Sequence, residues 1–333
     1  MDTVNHSKNK SMIANIQKSI AIGTLCAAGA LSLHWWAFSP AAAIIIFFLV
    51  FECYSAILLL QFTAMRSITA DDATPKPRAA ELIRAWAGET LTVLRIFYWR
   101  QPYCSSAEPD FLPGQGNGKR GVVFIHGFFC NRGLWTHWLT KLRHRGHPFI
   151  ALNLRPEFGS IDEYAGMIDH AVDSLQRLTG QAPVLVCHSM GGLAARAWLR
   201  QRNSPHAAEP EANKPEARAH HIITIGTPHA GTWLARFSHA KNARQMRLQS
   251  PWLSRLAQDE AAQRDSVGIM DRAIGQTGRW TCWYSNCDNI VFPAATATLP
   301  WADNRLLRGN AHVQMVFSQT IFEHTMALLE SPH

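Results

Sequence analysis

Ser189 stands in the run Val184, Leu185, Val186, Cys187, His188, Ser189, Met190, Gly191, Gly192. Four apolar residues of the kind that build a buried central strand lead into the serine and two glycines. A helix-forming run rich in Ala, Leu and Arg then covers 193–202. A serine at so sharp a strand-to-helix turn projects its oxygen over the end of a sheet, and Gly191 lets the helix backbone pass close beneath it. Downstream, Asp288 lies in the loop 286–293 just past an apolar run, and His312 stands where a loop meets a helical pattern. Upstream, the run 121–125 leads straight into His126, Gly127, Phe128 and Phe129. These parts suit nucleophilic acyl transfer. Ser189 would attack a carbonyl, His312 would move the proton, and Asp288 would hold the histidine tautomer and stabilise the imidazolium. The backbone N–H of Met190 and that of Phe128 or Phe129 would bind the developing oxyanion. Spacing leaves open which phenylalanine donates.

Other residues compete for these roles. His229, within Gly226-Thr227-Pro228-His229-Ala230-Gly231, is the rival base, but no acid precedes it suitably after the serine. Asp271 and Asp303 are the weaker acid candidates. His126, at a strand end before glycine, is expected to tie down its loop, and His324 to serve packing or surface. No His/Cys/Asp cluster has metal-ligand spacing and no Gly-rich phosphate loop follows a strand, so no metal or cofactor is expected.

Positioning these residues requires an α/β scaffold. A helix is expected over 135–145 and a strand over 148–153. Ser160 and Glu163 form a capping box, and behind them Ile168, Val172, Leu175 and Leu178 recur at three- and four-residue spacing until Gly180. Further strands are expected at 221–225 and 280–285. Strand and helix alternating in this way predict a mostly parallel sheet with helices on both faces. Residues 203–219, with three prolines, read as an inserted surface loop. The stretch 232–278 shows no strand. It reads as a helical cap whose apolar side lines an acyl groove, with a purely structural excursion as the alternative.

The N-terminal part is different in kind. Residues 1–18 are polar, and 19–38 and 41–65 are apolar and each about the ~20 residues needed to cross a bilayer. They predict two transmembrane helices joined by a tight turn; a cleaved signal peptide is the competing account of the first. Lys8, Lys10 and Lys18 precede the pair, Arg66, Lys76 and Arg78 follow it, and none lies between, which places both ends in the cytoplasm. Glu52 is anomalous there, and either a partner helix or a nearby interface would account for it. Residues 71–78 read as a linker. A helix over 79–99 follows, with Leu82, Ile83, Trp86, Leu94 and Phe97 lining one side and Glu81, Arg84 and Glu89 elsewhere. It would lie on the lipid surface or pack on the core. The excess of 32 Lys and Arg over 24 Asp and Glu is not clustered, which argues against a nucleic-acid partner. Seven cysteines form no framework; Cys282 and Cys287 could pair around a turn, with isolated thiols the simpler reading.

Taken together, His126-Gly127-Phe128, His188-Ser189-Met190-Gly191-Gly192, Gly226-Thr227-Pro228-His229-Ala230-Gly231, the Asp288 loop and His312 resemble the α/β-hydrolases of the bacterial triacylglycerol lipase and esterase group. The resemblance spans roughly 119–330. It implies hydrolysis of carboxylic esters through a serine acyl-enzyme, with an acyl ester or lipid as substrate. Two departures stand out: Cys187 occupies the place of the first elbow glycine, and membrane spans replace the usual secretion signal. The second redirects expectation toward membrane lipids, storage esters or small acyl esters. The expected organisation is a tail at 1–18, a hairpin at 19–65, a linker and amphipathic helix at 66–118, and an α/β-hydrolase domain at 119–330 with its cap at 232–278. A thioesterase or amidase on the same machinery is the alternative enzyme. A non-catalytic membrane-anchored scaffold is the alternative of another class.

Overall fold

The computed structural model of the chain describes residues 11–114, 118–202, 218–266 and 279–331. Six strands form one sheet: β1 (Val122–Ile125), β2 (Phe149–Ala151), β3 (Val184–His188), β4 (His221–Ile225), β5 (Trp280–Tyr284) and β6 (Asp303–Leu306). Their order is β2-β1-β3-β4-β5-β6, and every neighbouring pair is parallel. β1, β3 and β4 are buried at every position, which is why they read as unbroken apolar runs rather than alternating ones. The order reverses between β1 and β3. The loops leaving these two strands therefore diverge and open a crevice at their C-terminal ends.

Helices cover both faces. On one side α6 (Ala165–Thr179), α7 (Met190–Arg202) and α9 (Pro251–Ser266) bring Ile168, Leu193 and Leu256 to Val123, Ile125 and Leu185. On the other, α5 (Thr136–His144) and α10 (Gln319–Glu330) bring Trp138, Leu142, Phe322 and Leu329 to Val122, Phe124 and Val186. Alternate residues of β1 thus serve opposite cores, the period-two rule of a strand. The Ser160–Glu163 capping box is present, and Gly180 ends α6 in the left-handed region at φ 70°.

Several boundaries differ from the sequence expectation. The expected helix 135–145 begins as a 3₁₀ turn, Arg132–Trp135, because Asn131 Oδ1 accepts the N–H of Gly133 and starts the winding earlier. The cap region contains a 3₁₀ turn (Trp233–Phe237), α8 (Lys241–Gln245) and α9; its last part, 267–278 with Asp271, lies outside the described residues, as does 203–217. Arg196 of α7 ties α9 to the elbow helix through a two-pronged ion pair with Glu260 (2.8 and 2.8 Å). All seven cysteines are free, so Cys282 and Cys287 do not pair.

At the N-terminus, α1 (Met12–Trp36) is long and apolar enough to cross a membrane by length and composition. The following helix, α2 (Pro40–Ile68), meets that test only as two pieces, Pro40–Val50 and Glu52–Ile68, bent by 47° to one another. Both are docked at their bases. Ile13, Ala14 and Gln17 of α1 are buried, and Phe62 and Met65 of α2 pack with Cys287, Phe292 and Ala311. The expected linker 71–78 is a fastened turn: Lys76 Nζ donates to the carbonyls of Thr69 (2.5 Å) and Ala70 (2.6 Å), and Asp72 accepts the N–H of Ala295 (2.9 Å).

The largest correction concerns the helix after that turn. It runs as α3 (Ala79–Val93), a π-helical stretch (Leu94–Arg100) and α4 (Gln101–Tyr103). Its fully buried positions are Glu81, Ala85 and Glu89, against expectation; of the expected apolar side, Leu82, Trp86 and Phe97 pack against the core and Ile83 is exposed. The carboxylates tolerate burial because both are paired: Glu81 accepts from Arg308 (2.9 Å), and Glu89 accepts two backbone N–H groups.

Candidate active site

The turn after β3 has the strained geometry its sequence demands. Ser189 lies in the left-handed region at φ 53°, unusual for a residue with a side chain and worth ~1–3 kcal/mol of strain. Neighbours hold it there. Its N–H donates to Ile225 O (2.9 Å), and its carbonyl accepts from Thr227 Oγ1 (2.8 Å) and from the N–H of Gly192 (3.1 Å). Gly191 is required by close approach, since a Cβ there would meet the carbonyl oxygen of Ile125 at 2.4 Å. Cys187, in place of the usual glycine, is fully buried in the sheet, and burial raises its thiol pKa.

Asp288 and His312 come together at the ends of β5 and of the loop before α10. His312 Nδ1 and Asp288 Oδ2 are 2.9 Å apart, and both side chains are buried. Asp288 Oδ1 accepts the N–H groups of Ile290 (2.9 Å) and Val291 (2.7 Å), which fixes the carboxylate's orientation. Burial pulls the His312 pKa down, but the charge and hydrogen bond of Asp288, with Glu89 behind them, outweigh it and the net movement is upward. Gly226 makes room for the pair: at φ 58°, a Cβ on it would lie 3.0 Å from His312 Nδ1 and 3.1 Å from Asp288 Oδ2. The ring of His188, next to Ser189, stands 4.7 Å from that of His312. Among the described residues no hydrogen bond joins Ser189 Oγ to His312.

The loop after β1 faces the same crevice. A Cβ on Gly127 would meet Ser189 Cβ at 2.7 Å. His126 ties the loop down: its Nδ1 lies 2.9 Å from Gly127 O, and its Nε2 accepts the N–H of Leu154 (3.0 Å). Burial lowers its pKa to about 4, so it stays neutral with the proton on Nδ1. Phe129 is left-handed at φ 56°, and its carbonyl accepts from Gln17 Nε2 of α1 (3.1 Å). Met190 begins α7, so its N–H belongs to the unpaired first turn of a helix, a ready anion site.

The rejected candidates lie elsewhere. His229 is buried against Thr224 (3.1 Å) and Cys282 (3.5 Å), away from Asp288. Asp303 pairs with Arg305 at an exposed edge (2.7 Å), and His324 contacts Thr281 (3.3 Å) and Arg305 (3.1 Å).

Three residues that sequence reasoning did not select reach the site from the N-terminal part. Glu89, 1 % exposed, accepts the N–H groups of Val313 and Gln314, both at 2.9 Å, directly after His312. Burial, then the Asp288 charge, raise its carboxyl to about 7 against the opposing pull of those N–H donors and of His312. Gln61 accepts from Asn289 Nδ2 (2.7 Å), whose Oδ1 accepts the N–H of His312 (3.2 Å). Gln17 is the third. A hydrophobic-moment pattern points such residues outward, and no local signal marks them.

Comparison with known proteins agrees with this architecture. Residues 122–321 match the model of the alpha/beta hydrolase family. Among solved structures, the mature lipase BlEst2 of Bacillus licheniformis is similar over 66 % of this chain and 96 % of its own, at 17 % identity and a TM-score of 0.50. Lipase B of Aspergillus fumigatus (62 % and 52 % covered, 18 % identity, TM-score 0.45) and carboxylesterase CesB of Bacillus subtilis (77 % and 100 %, 10 %, 0.37) are more distant. No curated protein sequence matches the chain. With a family match over more than half its length and the parallel sheet that goes with it, the chain belongs to the alpha/beta hydrolase family.

Proposed function

We propose that the chain is a serine carboxylic-ester hydrolase that works at a membrane. The observation that carries the reading is the buried His312–Asp288 pair at 2.9 Å, with the ring of His188, next to Ser189 in its left-handed elbow, 4.7 Å from that of His312. His312 accepts the Ser189 hydroxyl proton on Nε2 as Oγ bonds to the ester carbonyl carbon. The N–H of Met190 and that of Phe128 or Phe129 stabilise the oxyanion. His312 returns the proton to the departing alcohol as the C–O bond breaks. Water, deprotonated by His312, then attacks the acyl-enzyme; carboxylic acid leaves and the proton returns to Ser189.

The membrane part of the reading is supported by α1 and by the charges around the hairpin. The eighteen residues 19–36 extend about 27 Å at ~1.5 Å per residue, close to the ~30 Å of a hydrocarbon core. Lys18 precedes the apolar helices, Arg66, Lys76 and Arg78 follow them, and no Lys, Arg or Asp lies between Lys18 and Arg66. On the positive-inside rule the catalytic unit faces the cytoplasm. A site fastened to the base of the hairpin suits esters of membrane lipids.

The test is labelling with a fluorophosphonate probe of the unchanged chain, Ser189→Ala and His312→Ala in membranes. Labelling of the unchanged chain and its loss in both variants is expected. Undiminished labelling of folded Ser189→Ala overturns the assignment of the nucleophile, and an unlabelled but folded parent chain points to a non-catalytic member of the fold.

A further inference from the structure

The helix over 79–103 presents an outward face that ought to be polar and is not. Residues 83, 87, 91, 95, 99 and 103 are all exposed, and they are Ile83, Ala87, Leu91, Arg95, Trp99 and Tyr103. Ile83 is 66 %, Leu91 69 % and Trp99 61 % exposed. In an α-helix a four-residue step over-rotates by about 40°, so such a line would wind away around the helix. The wider i→i+5 turn of the π-helical stretch 94–100 rotates less per residue and brings Arg95 and Trp99 back toward the line of Ile83. The stripe therefore keeps to one side. The opposite side carries the buried Glu81 and Glu89. An ordinary surface helix places these two residue classes the other way round.

Where the stripe lies follows from two contacts. α1 leaves the domain at Lys18, whose Nζ sits 5.4 Å from the ring centre of Tyr103. α2 joins it at Tyr54, whose hydroxyl donates to Thr90 O (2.6 Å) and whose ring stands 6.1 Å from that of Tyr98. The segment 90–103 thus runs between the two points at which the hairpin enters the domain. If the hairpin stands in a bilayer, those two points are at its surface and the part of the stripe from Leu91 to Tyr103 lies in the same plane. Its composition fits that level: Trp99 and Tyr103 are the interfacial aromatics, and Lys18 and Arg95 carry charge suited to anionic headgroups.

We propose that the exposed stripe Leu91–Trp99–Tyr103 is a lipid-docking surface, seated in the headgroup–acyl boundary of an anionic bilayer. It rests on the reading of the hairpin as membrane-embedded, and it adds a second contact independent of that anchor. Because the same helix turns Glu89 inward onto the backbone after His312, the membrane and the catalytic histidine share one rigid element.

The test places the photo-reactive residue p-benzoylphenylalanine at Leu33, Leu91, Trp99 or Arg177 in the full chain. The chain is reconstituted in vesicles of phosphatidylcholine and phosphatidylglycerol that carry an alkyne-tagged lipid. Leu33 reports on the hairpin, and Arg177, exposed on α6 on the other side of the sheet, is the control. Lipid adducts at 33, 91 and 99 at least tenfold above 177 are expected. Adducts at 33 but not at 91 and 99, or cross-links from 91 and 99 to a second copy of the chain, overturn the docking surface and leave the anchor standing. Absence of adducts at 33 overturns both. Ester hydrolysis plays no part in the readout, so each arm is repeated in Ser189→Ala with the same outcome expected.

Discussion

Replacing Glu89 by Gln removes a buried ionisable group beside the His312–Asp288 pair and keeps the side chain's shape. The Glu89 carboxyl rises from an ordinary 4.5 to about 7, chiefly through burial. In the folded chain it therefore holds a proton that the unfolded chain has already released between those two values. Stability from this group is full below pH 4.5 and is lost as the pH rises through about 7. At ~1.36 kcal/mol per pH unit, the displacement amounts to about 3 kcal/mol. Glu89→Gln cannot ionise and is free of that loss. It has one acceptor oxygen for two N–H donors, so at about pH 5 the variant should be less stable than the parent by ~1 kcal/mol. At about pH 8.5 the order should reverse. The assay is denaturant unfolding of both proteins in detergent micelles at the two pH values, read as the change of the difference with pH. A change of ~3 kcal/mol in favour of the variant is expected; parallel pH dependences would refute the reasoning. Catalysis supplies a second reading. Ionised Glu89 raises the His312 pKa, so Glu89→Gln should shift the acidic limb of the kcat/KM profile to lower pH.

Asp288→Asn presents an amide N–H₂ to His312 Nδ1 and forces the wrong tautomer, and kcat for a soluble ester should fall on the order of 10³–10⁴-fold with the fold retained by circular dichroism. Gly191→Ala drives a methyl group into the Ile125 carbonyl, so it should abolish fluorophosphonate labelling, and labelling at the parent rate would contradict the close packing of elbow and sheet. Arg196→Met strands the Glu260 carboxylate and removes the donor to His229 O (2.8 Å); a stability loss of roughly 3–5 kcal/mol is expected in thermal unfolding, recovered in large part by adding Glu260→Met.

The elbow, the strands β1 to β5 and the order of Ser189, Asp288 and His312 were legible because each is a local pattern; β6, half of it exposed and without an apolar run, was not expected. Val184 to Gly192 contains its own strand, turn and helix start, and Asp288 and His312 stand at junctions marked by Pro293 and by a helical run. The N-terminal contribution was not legible in that way. Glu89 meets Val313 across 224 positions of sequence and Gln61 meets Asn289 across 228. A helical wheel places Glu89 outward unless the donors awaiting it are known, and those donors are backbone N–H groups that carry no sequence signature. Residues 79–99 were accordingly recognised as a helix with Leu82, Trp86 and Phe97 on its packed side, while the burial of Glu81 and Glu89 was missed.

The fastening of the hairpin has a consequence for proteolysis. A cut within 69–78 would sever the covalent tether between the apolar helices and the catalytic unit. Gln17 would still hold the Phe129 carbonyl, Gln61 would still hold Asn289, and Phe62 and Met65 would still lie against Cys287 and Phe292. A nicked chain therefore stays whole. The enzyme is not a soluble domain on a leash, and clipping the leash does not set it free.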